Sequence, residues 1–185
     1  MRARMFIGLI AVACGSFAVR ARSQDMGATN LADYVGKERI SPSNASNDER
    51  RRLAAIYDRG AAAYKNKEYD RAVSAFTTLL RTNPEARIAA VIYVARAQSY
   101  IGKQEPKKAI ADAAQAIHLD RNLAVAYNSR GLAFGTMGDL SSAIKDFDTA
   151  IKLDPRLIDA QRNRALAERY LKRPALRANR TTNAR

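Results

Sequence analysis

The sequence predicts an all-α fold of stacked helical hairpins, and three observations point there. Alanine is abundant and tryptophan absent, with eight tyrosines and five phenylalanines, a composition that favours closely packed helices over a sandwich or barrel. From about Ser46 to Arg173 the apolar residues recur at helical rather than strand spacing. A pattern of small and aromatic residues also returns along the chain at a nearly fixed interval, which is the mark of a repeat architecture. At 185 residues the chain has room for one modest domain, whose folding would bury roughly two-thirds of the surface the unfolded chain exposes.

The first residues read as separate from that domain. Arg2 and Arg4 precede an apolar stretch from Met5 to Val19, which Arg20 and Arg22 close, and Ala21-Arg22-Ser23 offers small residues for a cut before Gln24. Residues 1–23 are therefore read as a secretory signal peptide, too short for the ~20 apolar residues of a spanning helix. Export to a bacterial periplasm, or secretion, is the location this implies. Ala11-Val12-Ala13-Cys14 loosely resembles the bacterial lipoprotein processing site, with Ala11 where Leu, Val or Ile is usual, so a lipid anchor at Cys14 is the lesser alternative. A cut after Ser23 removes the single cysteine and with it thiol or disulfide chemistry. It also removes four arginines, lowering the net charge from +14 to +10, and that basic excess favours anionic partners.

Residues 24–47, rich in Asn, Asp, Ser and Gly with Pro42 among them, read as a linker or loose N-terminal arm. Ser46, followed by Glu49 three residues on, has the form of a helix N-cap with a capping box. The repeat domain then spans 48–173. Tyr69-Asp70-Arg71-Ala72-Val73-Ser74-Ala75-Phe76 parallels Leu140-Ser141-Ser142-Ala143-Ile144-Lys145-Asp146-Phe147, with Asn83-Pro84 after the first and Asp154-Pro155 after the second. Pro106-Lys107-Lys108-Ala109-Ile110-Ala111-Asp112-Ala113 repeats the theme between them, Asp120-Arg121 standing in the place of Asp-Pro. Ala109 to Ala143 is thirty-four residues.

A thirty-four-residue period of two short helices resembles the tetratricopeptide repeat (TPR) family, an α-solenoid of helical hairpins. The units fall at about 53–86, 90–123 and 124–157. Gly60, Ala97 and Gly131 occupy the small eighth position and Ala72, Ala109 and Ala143 the twentieth; Phe76, Ala113 and Phe147 occupy the twenty-fourth, and Pro84, Arg121 and Pro155 the thirty-second. Small residues at eight and twenty let the two helices of a hairpin approach, while an aromatic at twenty-four fills space beside them. Ala72 to Ala109 is thirty-seven, so three residues near Arg87 to Ala89 are extra; either the junction is irregular or the next helix starts one turn early. Residues 158–173 read as an amphipathic C-terminal capping helix stopped by Pro174, and 174–185 as a disordered basic tail.

The resemblance implies a concave groove lined by the first helix of each hairpin. Its partner-facing places fall on Tyr57, Ala61, Tyr64, Lys65, Val91, Val94, Gln98, Ile101, Val125, Asn128 and Leu132. Such a surface suits an extended segment or an amphipathic helix. Tyr57 could instead be covered by the N-terminal arm, and Val94 or Leu132 could be packing between hairpins. Family members that clamp the C-terminal carboxylate of chaperones use lysine, asparagine and arginine at places that here hold Tyr57, Ala61, Ala95, Val125 and Ser129, so that clamp is not expected. Arg50-Arg51-Arg52, Lys107-Lys108 and the arginines from Arg162 onward form either solvated faces or a basic edge for an anionic partner or membrane surface.

Catalytic chemistry finds no support in these residues. His118 is the single histidine and no Gly-rich phosphate loop is present; Gly60, Gly131, Gly135 and Gly138 sit at repeat or turn positions. Asp146 and Asp148 are carboxylates of a repeat surface with nothing to suggest a shared pocket. The expectation is a non-enzymatic interaction module or adaptor of the periplasm or cell envelope, without metal, cofactor or small-molecule substrate, binding protein or peptide. A self-associating structural module is the alternative, and a cytoplasmic nucleic-acid-binding protein the least favoured.

Overall fold

The computed structural model describes residues 46–182, with side chains as far as Lys172. The expected signal, Cys14 and most of the expected arm lie outside the described residues. Among the described residues seven helices follow one another: α1 (Asn47–Lys65), α2 (Tyr69–Arg81), α3 (Ala86–Gly102), α4 (Pro106–Leu119), α5 (Ala124–Thr136), α6 (Leu140–Leu153) and α7 (Ile158–Thr182). Three hairpins, α1–α2, α3–α4 and α5–α6, stack through α2 on α3, α4 on α5 and α6 on α7. A second seam joins α3 to α5 and α5 to α7. The result is an all-α TPR-type solenoid whose last helix, α7, packs on α6 and α5 without a hairpin mate among the described residues.

The helix ends show why these segments begin and stop where they do. At the start of α1 the Glu49 N–H donates to Ser46 Oγ at 3.2 Å, satisfying one of the amides that a first turn leaves open. The three hairpin turns share one geometry. Glu68, Glu105 and Asp139 each donate a backbone N–H to the carbonyl five residues earlier, at 2.8, 2.9 and 3.0 Å, which caps the preceding helix. The middle residue of each turn is left-handed: Lys67 at φ 62°, Gln104 at φ 60° and Gly138 at φ 84°. Only the third unit has the residue that occupies this region without steric cost.

The links between hairpins explain the irregular period. Asp120 Oδ1 accepts from the Asn122 N–H and Asp154 Oδ1 from the Arg156 N–H, both at 2.9 Å, so the same Asx turn forms with or without a proline. Arg121 therefore substitutes for proline without altering the junction. The first link is different. Asn83 is left-handed at φ 52°, Thr82 Oγ1 donates to the Leu79 carbonyl at 2.7 Å, and α3 begins at Ala86. The three extra residues are thus an added turn at the start of α3.

The core rests on a match of sizes between the helices of each hairpin. A Cβ on Gly60 would lie 2.9 Å from the Phe76 ring, and one on Gly131 would lie 2.6 Å from the Phe147 ring. In the second hairpin Ala97 faces the same region where Ala113 replaces the aromatic, and these two pack with Ala109 and Ala133 in an alanine-lined core. Ala72, Ala109 and Ala143 are fully buried. Pro84 is half-buried and Pro155 exposed, as suits links rather than core.

The C-terminal end departs from expectation. Helix α7 does not stop at Arg173 but runs through Pro174 to Thr182. A proline inside a helix lacks one N–H and crowds the carbonyl four residues before it, yet the helix resumes beyond it, as in other proline-bearing helices. Ala160, Asn163 and Ala167 of its first half are buried, and Leu166 and Tyr170 pack beside Leu132. This half closes the last hairpin.

Two outcomes check this account by chemical denaturation. Gly131→Ala lowers stability by about 1–3 kcal/mol through overpacking, and Ala113→Phe does likewise unless Ala97→Gly accompanies it, the pair coupling by about 1 kcal/mol or more. Lys67→Gly and Gln104→Gly each raise stability by about 0.5–1 kcal/mol, because each relieves a left-handed side-chain clash.

Candidate functional site

The expected groove residues lie on α1, α3 and α5, and packing divides them into two sets. Tyr57 is 3% exposed, its ring 5.7 Å from that of Phe76 and tilted against it. Burial, with a smaller contribution from Asp58, pushes its phenol well above the ordinary tyrosine range. Val91, Val94 and Leu132 are also buried. These four are core contacts of the hairpin stack.

Ala61, Tyr64, Gln98, Ile101 and Val125 keep part of their surface in solvent, and Lys65 is exposed. Tyr64 stands against Tyr69, ring centroids 5.9 Å apart, and burial followed by Tyr69 pushes its phenol up to about 12. Tyr69 in turn fills the notch left by Gly102, where a Cβ would lie 2.4 Å from its ring. Residues 61, 64 and 65 fall on one helical stripe with buried Tyr57, so the stripe passes from core to solvent along α1.

Polar residues stitch the seams between these helices. Gln98 Nε2 of α3 reaches Ser129 Oγ of α5 at 3.5 Å. Asn163 Nδ2 of α7 donates to Asn128 Oδ1 of α5 at 3.0 Å. Asn128 is thus a buried bonding residue rather than a freely solvated one.

Sequence reasoning missed a set of arginine–carboxylate pairs between neighbouring helices. Arg96 forks onto Asp112 with bonds of 2.8 and 2.9 Å, and its third nitrogen donates to Thr77 Oγ1 at 3.0 Å. Arg130 forks onto Asp146 at 2.8 Å through both bonds. Arg164 pairs with Asp148 and, at 3.0 Å, with Glu168. The bonds to Asp112 and Asp146 raise the guanidinium pKa values of Arg96 and Arg130, against the opposing effect of burial. The signal was present, since Arg96, Arg130 and Arg164 recur at thirty-four residues and each aspartate of the first two pairs follows sixteen later. These contacts place Asp146 and Asp148 in ion pairs with arginines of the neighbouring helices.

No group of three or more His, Cys, Asp or Glu able to hold a metal ion occurs among the described residues, and no helix there is long and apolar enough to cross a membrane. Residues 124–157 match the family model described as tetratricopeptide repeat, which coincides with the third unit. The fold is a tetratricopeptide solenoid. Modules of this TPR fold are non-catalytic scaffolds for protein or peptide partners, and this chain is of that kind. It is similar to Hsc70-interacting proteins 1 and 2 of Drosophila melanogaster, at 28% identity over 95 residues, or 51% of this chain and 24% of each relative. The likeness thus spans about a quarter of those relatives' length. Among solved structures it resembles the second TPR domain of the human RPAP3 protein in complex with HSP70 peptide SGPTIEEVD, at 29% identity and TM-score 0.57, covering 64% of this chain and 96% of that one. The Sgt2 TPR domain from Aspergillus fumigatus shares the fold at TM-score 0.62 and 24% identity, over 76% of this chain and 85% of that one.

These likenesses correct the expectation of a bacterial exported protein, because they run to fly, human and fungal TPR proteins. The periplasmic or secreted location, the cell-envelope setting, the signal assignment and the Cys14 anchor do not stand beside them. The opening apolar run reported hydropathy alone, which carries no information on lineage or compartment.

The division of groove residues has a direct check in thermal and chemical unfolding. Tyr57→Ala costs about 3 kcal/mol or more, as for other buried aromatics, whereas Tyr64→Ala, half-open to solvent, costs markedly less.

Proposed function

We propose that the inner face of α1, α3, α5 and α7 binds an acidic, partly apolar segment of a partner protein, and that the chain acts as an adaptor. The observation that carries this reading is the row of half-open residues Ala61, Tyr64, Gln98, Ile101 and Val125, which successive odd helices leave partly in solvent. Cations flank the row: Lys65 is exposed at one end, and Arg162 and Arg169 of α7 are exposed at the other. Arg162 reaches its nearest carboxylate, Asp159, only at 3.8 Å. An apolar trough with basic ends favours a segment that alternates acidic and apolar side chains.

The peptide bound to the related human domain, SGPTIEEVD, has that character. In this chain the places of the carboxylate clamp are filled by buried Tyr57, Ala95 and Ser129 and by half-buried Ala61 and Val125, none of them cationic. A terminal carboxylate therefore gains nothing special, and an internal segment serves as well as a C-terminus. Fluorescence anisotropy with labelled SGPTIEEVD tests this. The free acid and the C-terminal amide bind within about twofold of one another, and both weaken as added salt shortens the screening length below about 8 Å. Absence of saturable binding, or a strong preference for the free acid, would sink the reading.

A further inference from the structure

Helix α7 repeats the pattern of a first hairpin helix without a second helix folded onto it. Arg164 and Ala165 stand thirty-four residues after Arg130 and Gly131, which stand thirty-four after Arg96 and Ala97. In the two earlier hairpins the residue sixteen past the arginine is an aspartate of the mate helix, Asp112 or Asp146, and it accepts the guanidinium fork. Sixteen past Arg164 is position 180, an arginine that lies on α7 itself. Arg164 is bonded instead to Asp148 of the preceding helix and, along its own helix, to Glu168 at 3.0 Å.

Exposure follows the same division. Leu53, Ala90 and Ala124, at the first place of the three complete units, are buried, whereas Ile158 at that place in α7 is 49% exposed. Gly60, Ala97 and Gly131 are buried, whereas Ala165 is exposed. The Arg164 side chain is 40% exposed, against 17% and 27% for Arg96 and Arg130. The places that a mate helix covers in the earlier units are therefore open in the last.

The complete hairpins show what fits such a seat. Gly131 admits Phe147 because it has no Cβ, whereas Ala97, which has one, packs in a cluster with Ala113 and Ala109. Ala165 carries a Cβ, so the middle hairpin is the template, in which α4 brings Ala109-Ile110-Ala111-Asp112-Ala113 to α3. Gln161 and Glu168 stand where α3 has Tyr93 and Tyr100. The seat on α7 is thus more polar than the one on α3 and suits a partner that comes and goes. Charge decides between a foreign helix and a second copy. Residues 158–172 carry four cations, Arg162, Arg164, Arg169 and Lys172, against the two carboxylates Asp159 and Glu168. Two such helices face to face bring like charges together, whereas an acidic helix is drawn in.

We propose that this face of α7 takes a helix of a partner protein as the second half of a fourth hairpin. The partner is an acidic amphipathic helix with alanine opposite Ala165 and, one residue before that alanine, a carboxylate that replaces Glu168 on Arg164. Ala165 and Ile158 are not groove residues, so this seat stands independently of the groove reading.

The test is an NMR titration of the full chain with a synthetic peptide of residues 106–119 carrying Lys107→Glu and Lys108→Glu. The Ile158, Arg164 and Ala165 signals move saturably, and binding weakens about two- to fivefold when the peptide also carries Asp112→Asn or the chain carries Arg164→Gln. A peptide with Ala113→Phe binds the wild-type chain several-fold more weakly and recovers on the Ala165→Gly chain, a swap that general attraction between an acidic peptide and a basic helix does not produce. Both substituted positions are solvent-accessible, so these chains keep the fold. Absence of saturable movement, movement confined to Tyr64 and Ile101, or equal binding by all the peptides overturns the proposal. A dimer in sedimentation velocity that Ala165→Arg abolishes also overturns it, because a second copy then holds the face.

Discussion

Everything in this array depends on how closely the two helices of a hairpin come together, and that distance is set where one residue of the first helix faces one of the second. In the outer hairpins a glycine faces a phenylalanine: Gly60 with Phe76 and Gly131 with Phe147. In the middle hairpin alanine faces alanine, Ala97 with Ala113. Two alanines are less bulky than a glycine with a phenylalanine, and in the middle hairpin Tyr100, Ile101 and Ile110 pack against the alanine cluster. Protein interiors are packed too densely for either partner to vary alone. The close approach buries Ala72, Ala109 and Ala143 completely and lets the next hairpin dock on a surface of constant shape.

With the spacing fixed, the arginine–aspartate forks orient the helices against one another. Arg96–Asp112 and Arg130–Asp146 each join the two helices of one hairpin, and the aspartates are 9% and 8% exposed at the side chain. Arg96 lies over the Tyr93 ring and Arg130 over the Tyr127 ring, 5.4 and 5.6 Å from the centroids. Pairs of this kind add geometry more than net stability, because desolvation offsets much of the attraction. Each pair takes up one cation and one carboxylate together, so the basic excess of the chain is unchanged by them.

The fold was legible because its determinants are local and periodic. The spacing of Ala72, Ala109 and Ala143, the aromatics and the turn residues can be counted along the chain without knowing which side chains touch. The groove was less legible. Its places were assigned by register alone, and register does not say whether the stack above has closed over a residue. Tyr57 and Leu132 hold the same nominal face as Tyr64 and Ile101, yet Phe76 covers the first and α7 the second. The Asn128–Asn163 bond joins residues thirty-five apart on unlike repeat positions, so no period could announce it. The opening segment misled for another reason, since hydropathy and flanking charge were asked to report on origin.

The added turn at the start of α3 has a consequence for cooperativity. The second and third junctions each have two seams, even helix on odd and odd on odd, whereas at the first only α2 on α3 is substantial, with no comparable contact between α1 and α3. In a linear array stability is approximately a sum of unit terms and nearest-neighbour coupling terms. Hairpin one is therefore coupled to the rest through the α2–α3 seam, whose buried residues Phe76, Leu79, Ile88 and Ile92 belong to one apolar cluster. Opening at that joint changes the length of the groove while leaving its C-terminal half assembled.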